Sequence, residues 1–130
     1  MVTRIGRAAL VGMMVLSMAG AMPATAKARA VVERGACGFG TDWKLKLAPG
    51  SGGIEVSFQI DSGVPGQTWA VAIFQNGAQV FSGTGVTAAP GGAFSVRVVT
   101  SDTPGTDSFT GQAVNTNLAG EVCLGNASIG

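Results

Sequence analysis

A chain of 130 residues, 46% apolar and only 12% charged, has room for one domain. It holds 21 glycines, two cysteines, no tyrosine and no histidine. Without histidine there is no Ser-His-Asp or Cys-His nucleophile and no imidazole metal site. A net charge of +1 gives no drive toward polyanions.

All five methionines lie at or before Met22, so the chain is two pieces by composition. Arg4 and Arg7 precede an apolar run from Ala8 to about Met22, and Pro23-Ala24-Thr25-Ala26 then supplies a small-x-small pattern. Positive start, apolar stretch and small-residue exit are the order of a secretory signal peptide, helical until it is removed. A cut after Ala26 fits, and Ala28 and Ala30 satisfy the same pattern. The run is roughly 15 residues, short of the roughly 20 that a spanning helix needs. The expectation is a signal peptide over 1–26 and one secreted domain over 27–130, with no membrane span in the mature chain. Cleavage removes Arg4 and Arg7, leaving six scattered cations against seven acids. That is no footprint for nucleic acid, which needs clustered Lys and Arg.

Cys37 and Cys123 stand near the two ends of this mature piece. In an oxidising compartment two cysteines have one intramolecular pairing, which ties the first strand to the last.

A first strand is expected from about Ala30 to Cys37. Trp43, Leu45 and Leu47 then alternate with Asp42, Lys44 and Lys46. After the turn-forming Ala48-Pro49-Gly50-Ser51-Gly52-Gly53, Ile54, Val56, Phe58 and Ile60 alternate with Glu55, Ser57, Gln59 and Asp61. Period-two alternation marks strands with one face buried. Closing this pair symmetrically places Leu47 opposite Ile54, Leu45 opposite Val56, Trp43 opposite Phe58 and Lys46 opposite Glu55. The next strand runs from about Gln67 to Gln75 and is followed by Asn76-Gly77, the pair that tolerates the positive φ of a type I′ hairpin turn. A two-residue loop there places Ile73 opposite Val80 and Ala72 opposite Phe81. Pro90-Gly91-Gly92, Thr103-Pro104-Gly105 and Asn115–Gly120 separate three more strands, the last from Glu121 to Ala127. Seven to eight antiparallel strands in about 100 residues point to an all-β, immunoglobulin-like β-sandwich, with a small closed barrel as the alternative.

Candidate chemistry is sparse. No two of the acids Glu33, Asp42, Glu55, Asp61, Asp102, Asp107 and Glu121 are forced together by this strand pattern, so each is expected to be solvated or to cap a turn. A glycosidase would need a carboxylate pair. Asp42, Asp61 and Asp102 have no Asp-rich calcium loop around them. Gly35, Gly38 and Gly40 lack the lysine and helix of a phosphate loop. No catalytic residue, metal or cofactor is expected. The feature that stands out is the outward face of the 67–84 hairpin: Ala70, Ala72, Phe74 and Phe81, with Gln79 and Gly83. An uncharged patch with two phenylalanines reads as a contact surface.

The mature stretch resembles small secreted actinobacterial proteins of uncharacterised function. The likeness is carried by Cys37, Trp43-Lys44-Leu45-Lys46-Leu47, Ile54-Glu55-Val56, Gly66-Gln67-Thr68-Trp69, Asn76-Gly77, Phe94-Ser95-Val96-Arg97 and Cys123. It implies secretion and an all-β domain and supplies no activity. A fainter likeness is to the apoproteins of enediyne chromoproteins, which usually carry two short-range disulfides rather than one long-range pair. The expected role is non-catalytic binding of a protein or an envelope polymer outside the cell. The alternatives are carriage of a small apolar ligand in a cleft between sheets, and protease inhibition through the loops 87–92 or 100–107.

Overall fold

Alternating apolar side chains can be buried only if two sheets pack inner face to inner face, and the chain does this. Residues 29–130 are described by the structure, a computed structural model, and the expected signal peptide lies outside them. Eight strands follow one another: β1 (Val31–Ala36), β2 (Asp42–Gly50), β3 (Gly53–Asp61), β4 (Thr68–Gln75), β5 (Ala78–Val86), β6 (Ala93–Thr100), β7 (Asp107–Asn115) and β8 (Val122–Ile129). Every pairing is antiparallel. The first sheet has the order β1-β2-β3-β6 and the second β5-β4-β7-β8. β3 neighbours β6 and β4 neighbours β7, so the chain changes sheet between consecutive strands. That is the Greek-key crossing of an immunoglobulin-like sandwich, with β1 as an added edge strand. Among the described residues no helix is long and apolar enough to cross a membrane.

The interior is filled from both sides. Leu45, Leu47, Ile54, Val56, Phe58 and Ile60 come from the first sheet, and Trp69, Val71, Ile73, Phe109, Ala113 and Ile129 from the second. Cys37, just past β1, bonds Cys123 in β8 with their Cα atoms 4.6 Å apart, closing one side of the sandwich. The Trp43 indole seals the same side. It lies so close over Gly35 of β1 and Gly125 of β8 that a Cβ on either would sit 2.7 Å or 2.6 Å from its ring. Gly35 is therefore a packing position.

Two registers differ from the symmetric expectation. The β2–β3 hairpin turns on Ser51-Gly52 alone, with Gly53 at φ +130°, so Leu47 faces Val56, Leu45 faces Phe58 and Trp43 faces Ile60. Lys46 faces Ser57, and Glu55 instead takes Arg97 of β6 at 2.5 Å. In the second hairpin Asn76 (φ 51°) and Gly77 (φ 86°) make the expected turn. The register then shifts between Ile73 and Phe74, giving Phe74 opposite Gln79, Ile73 opposite Phe81 and Ala72 opposite Ser82. Val80 is the extra residue of this bulge, and an extra residue reverses the face of everything beyond it.

Candidate functional site

The bulge corrects the expected contact patch. Phe81 shares the inward face with Ile73 and packs half-buried against the core. Gly83 also faces in, opposite Val71, leaving room for the Phe81 ring. Ala70, Ala72, Phe74 and Gln79 remain on the outer face of the second sheet, with Ala70 exposed and Phe74 half-buried.

The rest of that face comes from β5, β7 and β8. Its rows read Thr84–Ala70–Val114–Val122, Ser82–Ala72–Gln112–Leu124 and Gln79–Phe74–Thr110–Asn126 across the four strands. The alanines make its floor, a shallow trough of about 220 Å³ walled by Ser82, Gln112 and Val114. Thr110 donates its hydroxyl hydrogen to Asn126 Oδ1 at 2.8 Å, and the Ser108 and Ser128 hydroxyls lie 3.1 Å apart, so part of the polar surface is preorganised. Not one of these residues is charged. The outer face of the first sheet, by contrast, carries Arg34, Asp42, Lys44, Lys46, Glu55, Asp61 and Arg97.

β8 has its usual pattern inverted. The inward residues are Cys123, Gly125, Ala127 and Ile129, small at the centre because Trp43 occupies the space above Gly125. The larger Val122 and Leu124 point out, 43% and 57% exposed. The pairing of Cys37 with Cys123 contains the signal for this: once Cys123 faces inward, Val122 and Leu124 must face out.

Two acids expected in solvent are buried. Asp107 is fully enclosed and takes hydrogen bonds from Gln75 Nε2 (3.1 Å), Asn76 Nδ2 (3.0 Å), the Thr103 amide (3.2 Å) and the Thr103 hydroxyl. It pins the 101–106 loop to the turn of the β4–β5 hairpin. Burial pushes its pKa upward, but the Thr103, Gln75 and Asn76 donors together outweigh that and hold it at about 2, against 3.8 for an ordinary aspartate. Donors to the charged form favour it. A lowered folded pKa contributes stability above the unfolded value that disappears as pH falls through the folded one. The carboxylate thus contributes about 2 kcal/mol near neutrality, and urea midpoints should drop between about pH 4 and pH 2. An Asp107→Asn variant should lose that acid limb while being less stable at pH 7.

Glu121 is 2% exposed, accepting from the Thr41 hydroxyl and from Asn115 Nδ2 at 2.9 Å. It fastens the 37–41 loop to the 116–121 loop beside the disulfide. A third correction concerns Asp42 and Asp61, which the observed register sets directly opposite each other. Asp102 lies beyond the far end of β6, so it does not join them. No group of three potential metal ligands occurs among the described residues. No protein-family model, no curated protein and no solved structure matches the chain.

Proposed function

We propose that this is a secreted, non-catalytic binding module that presents the outer face of its second sheet to an extracellular protein. The observation that carries the proposal is the outward turn of Val122 and Leu124 onto a four-stranded face without charge, while the opposite sheet bears the charges. Charge depletion with exposed aliphatic side chains is the composition of the middle of a protein interface. A polysaccharide would favour stacking platforms, and the single aromatic ring of this face, Phe74, is half-buried. The long-range disulfide fits an oxidising, non-cytoplasmic compartment, and export by a signal peptide and kinship with small secreted actinobacterial proteins belong to the same proposal.

Carriage of an apolar ligand calls for space between the sheets, where Phe58, Trp69, Phe109, Leu45 and Ile73 are packed. Catalysis calls for a free acid or base in an enclosed site, whereas Asp107 and Glu121 spend their oxygens on structural hydrogen bonds.

Retention of the purified secreted protein on envelope fractions of the producing cell tests the proposal. Ala72→Arg places a cation in the trough and should weaken retention at least tenfold, as should protease treatment of the envelope. Lys46→Glu on the first sheet should leave retention intact. Retention that survives protease but not polysaccharide digestion replaces the protein partner with a polymer, and retention indifferent to Ala72→Arg removes the face from consideration.

A further inference from the structure

The first sheet carries a separate feature. On its outer face Arg34, Lys44 and Gln59 form one row across β1, β2 and β3, and Asp42 and Asp61 stand together in the next row. With Gly35 and Trp43 they line a concavity of about 400 Å³. Arg34 is paired directly with Lys44, and Asp42 directly with Asp61. Like charges directly opposite on a sheet face are destabilising. Neither pair is relieved by an ion pair among the described residues, although Glu55 and Arg97 on the same face have found each other. Among the described residues the Asp61 carboxylate accepts the Gly63 amide, at 3.2 Å, and no other side-chain hydrogen bond.

Two cations in one row beside two anions in the next make a dipole across the concavity. The rows are two residues apart along the strand, a spacing of ~7 Å. We propose that this concavity binds a small dipolar molecule, its carboxylate on Arg34 and Lys44 and its ammonium on Asp42 and Asp61. Charges about 7 Å apart belong to the α-carboxylate and side-chain ammonium of a diamino acid, or to the two ends of a short peptide, rather than to a simple α-amino acid, whose charges are separated by a single carbon. Gln59, beside Lys44, adds an amide for the carboxylate or for a peptide group. The site is open, so binding is salt-dependent.

The probe is 6-aminohexanoate, whose methylene chain holds its two charges about as far apart as the two rows. It is titrated into the ¹⁵N-labelled protein at low salt. The expected result is a saturable set of amide shifts confined to the neighbourhood of residues 34, 42, 44, 59 and 61. Hexanoate and hexylamine, each with one charge, should bind at least tenfold more weakly. Lys44→Gln and Asp61→Asn should each weaken the dipolar probe at least tenfold, with Arg34→Gln as the second cation variant should Lys44→Gln disturb the spectrum. Shifts that do not saturate, equal responses to the singly charged probes, or variants that bind like the parent protein overturn the proposal.

Discussion

Replacing Cys37 and Cys123 together by serine is expected to lower stability by about 4 kcal/mol, a fall on the order of 20 °C in Tm for a domain of this size. The bond joins residues separated by 86 positions, so it removes a large part of the unfolded chain's freedom. It also has a local task. β1 is the edge of one sheet and β8 the edge of the other, and the bond closes the side between them. Thermal unfolding of the serine variant, and of the parent protein with and without reductant, measures the loss. A difference below about 1 kcal/mol would mean that Trp43, seated over Gly35 and Gly125, closes this side without the covalent link.

Phe58→Ala is expected to cost about 4 kcal/mol in urea unfolding. The ring is fully buried, stands 6.5 Å from the Trp43 ring at a tilt of 49°, and faces Leu45 and Val96 on the neighbouring strands. Across the sandwich Gly111 of β7 makes room for it, since a Cβ there would approach the ring to 2.9 Å. Gly111→Ala alone should therefore destabilise by about 1–3 kcal/mol through overpacking. In the Phe58→Ala background it should cost much less, because residues in contact do not add. A Phe58→Ala variant with parental stability would instead describe an interior with slack, as a ligand cleft has.

Faces were easier to read than partners. Leu45, Leu47, Ile54, Val56, Phe58 and Ile60 announce their burial by alternation, and all are buried. Their opposite numbers are decided by where the turn is centred, and the turn on Ser51-Gly52 lies one residue beyond the middle of the run of turn formers. That displacement separated Glu55 from Lys46 and brought Asp42 to Asp61, while the pairing of β3 with β6 set Arg97 beside Glu55.

The outer face of the second sheet was half legible. Ala70, Ala72 and Phe74 precede the bulge, so their phase follows from Trp69, Val71 and Ile73. Phe81 lies beyond it, and a single added residue sends it to the other side. Val114, Gln112, Val122 and Leu124 were not visible as neighbours of the alanines, since β7 and β8 reach that face through pairings distant in the chain. The burial of Asp107 was equally hidden. Its enclosure depends on Gln75, Asn76 and Thr103 meeting around it, and nothing in the local stretch around residue 107 says that they will.

The sequence by itself determined the all-β class, the positions of the strands, the Asn76-Gly77 turn and a single possible disulfide. Each follows from local conformational preference, from a period of two, or from there being only one other cysteine. Only the tertiary structure decided the registers, the Greek-key neighbours β3–β6 and β4–β7, and the division into one charged and one uncharged outer face. The reason is that a strand's pattern specifies which side chains share a face and leaves open which strand lies beside it. That choice is made by packing between residues far apart in the chain. One example is Trp43 above Gly125, which keeps the inward side of β8 small and leaves Val122 and Leu124 outside.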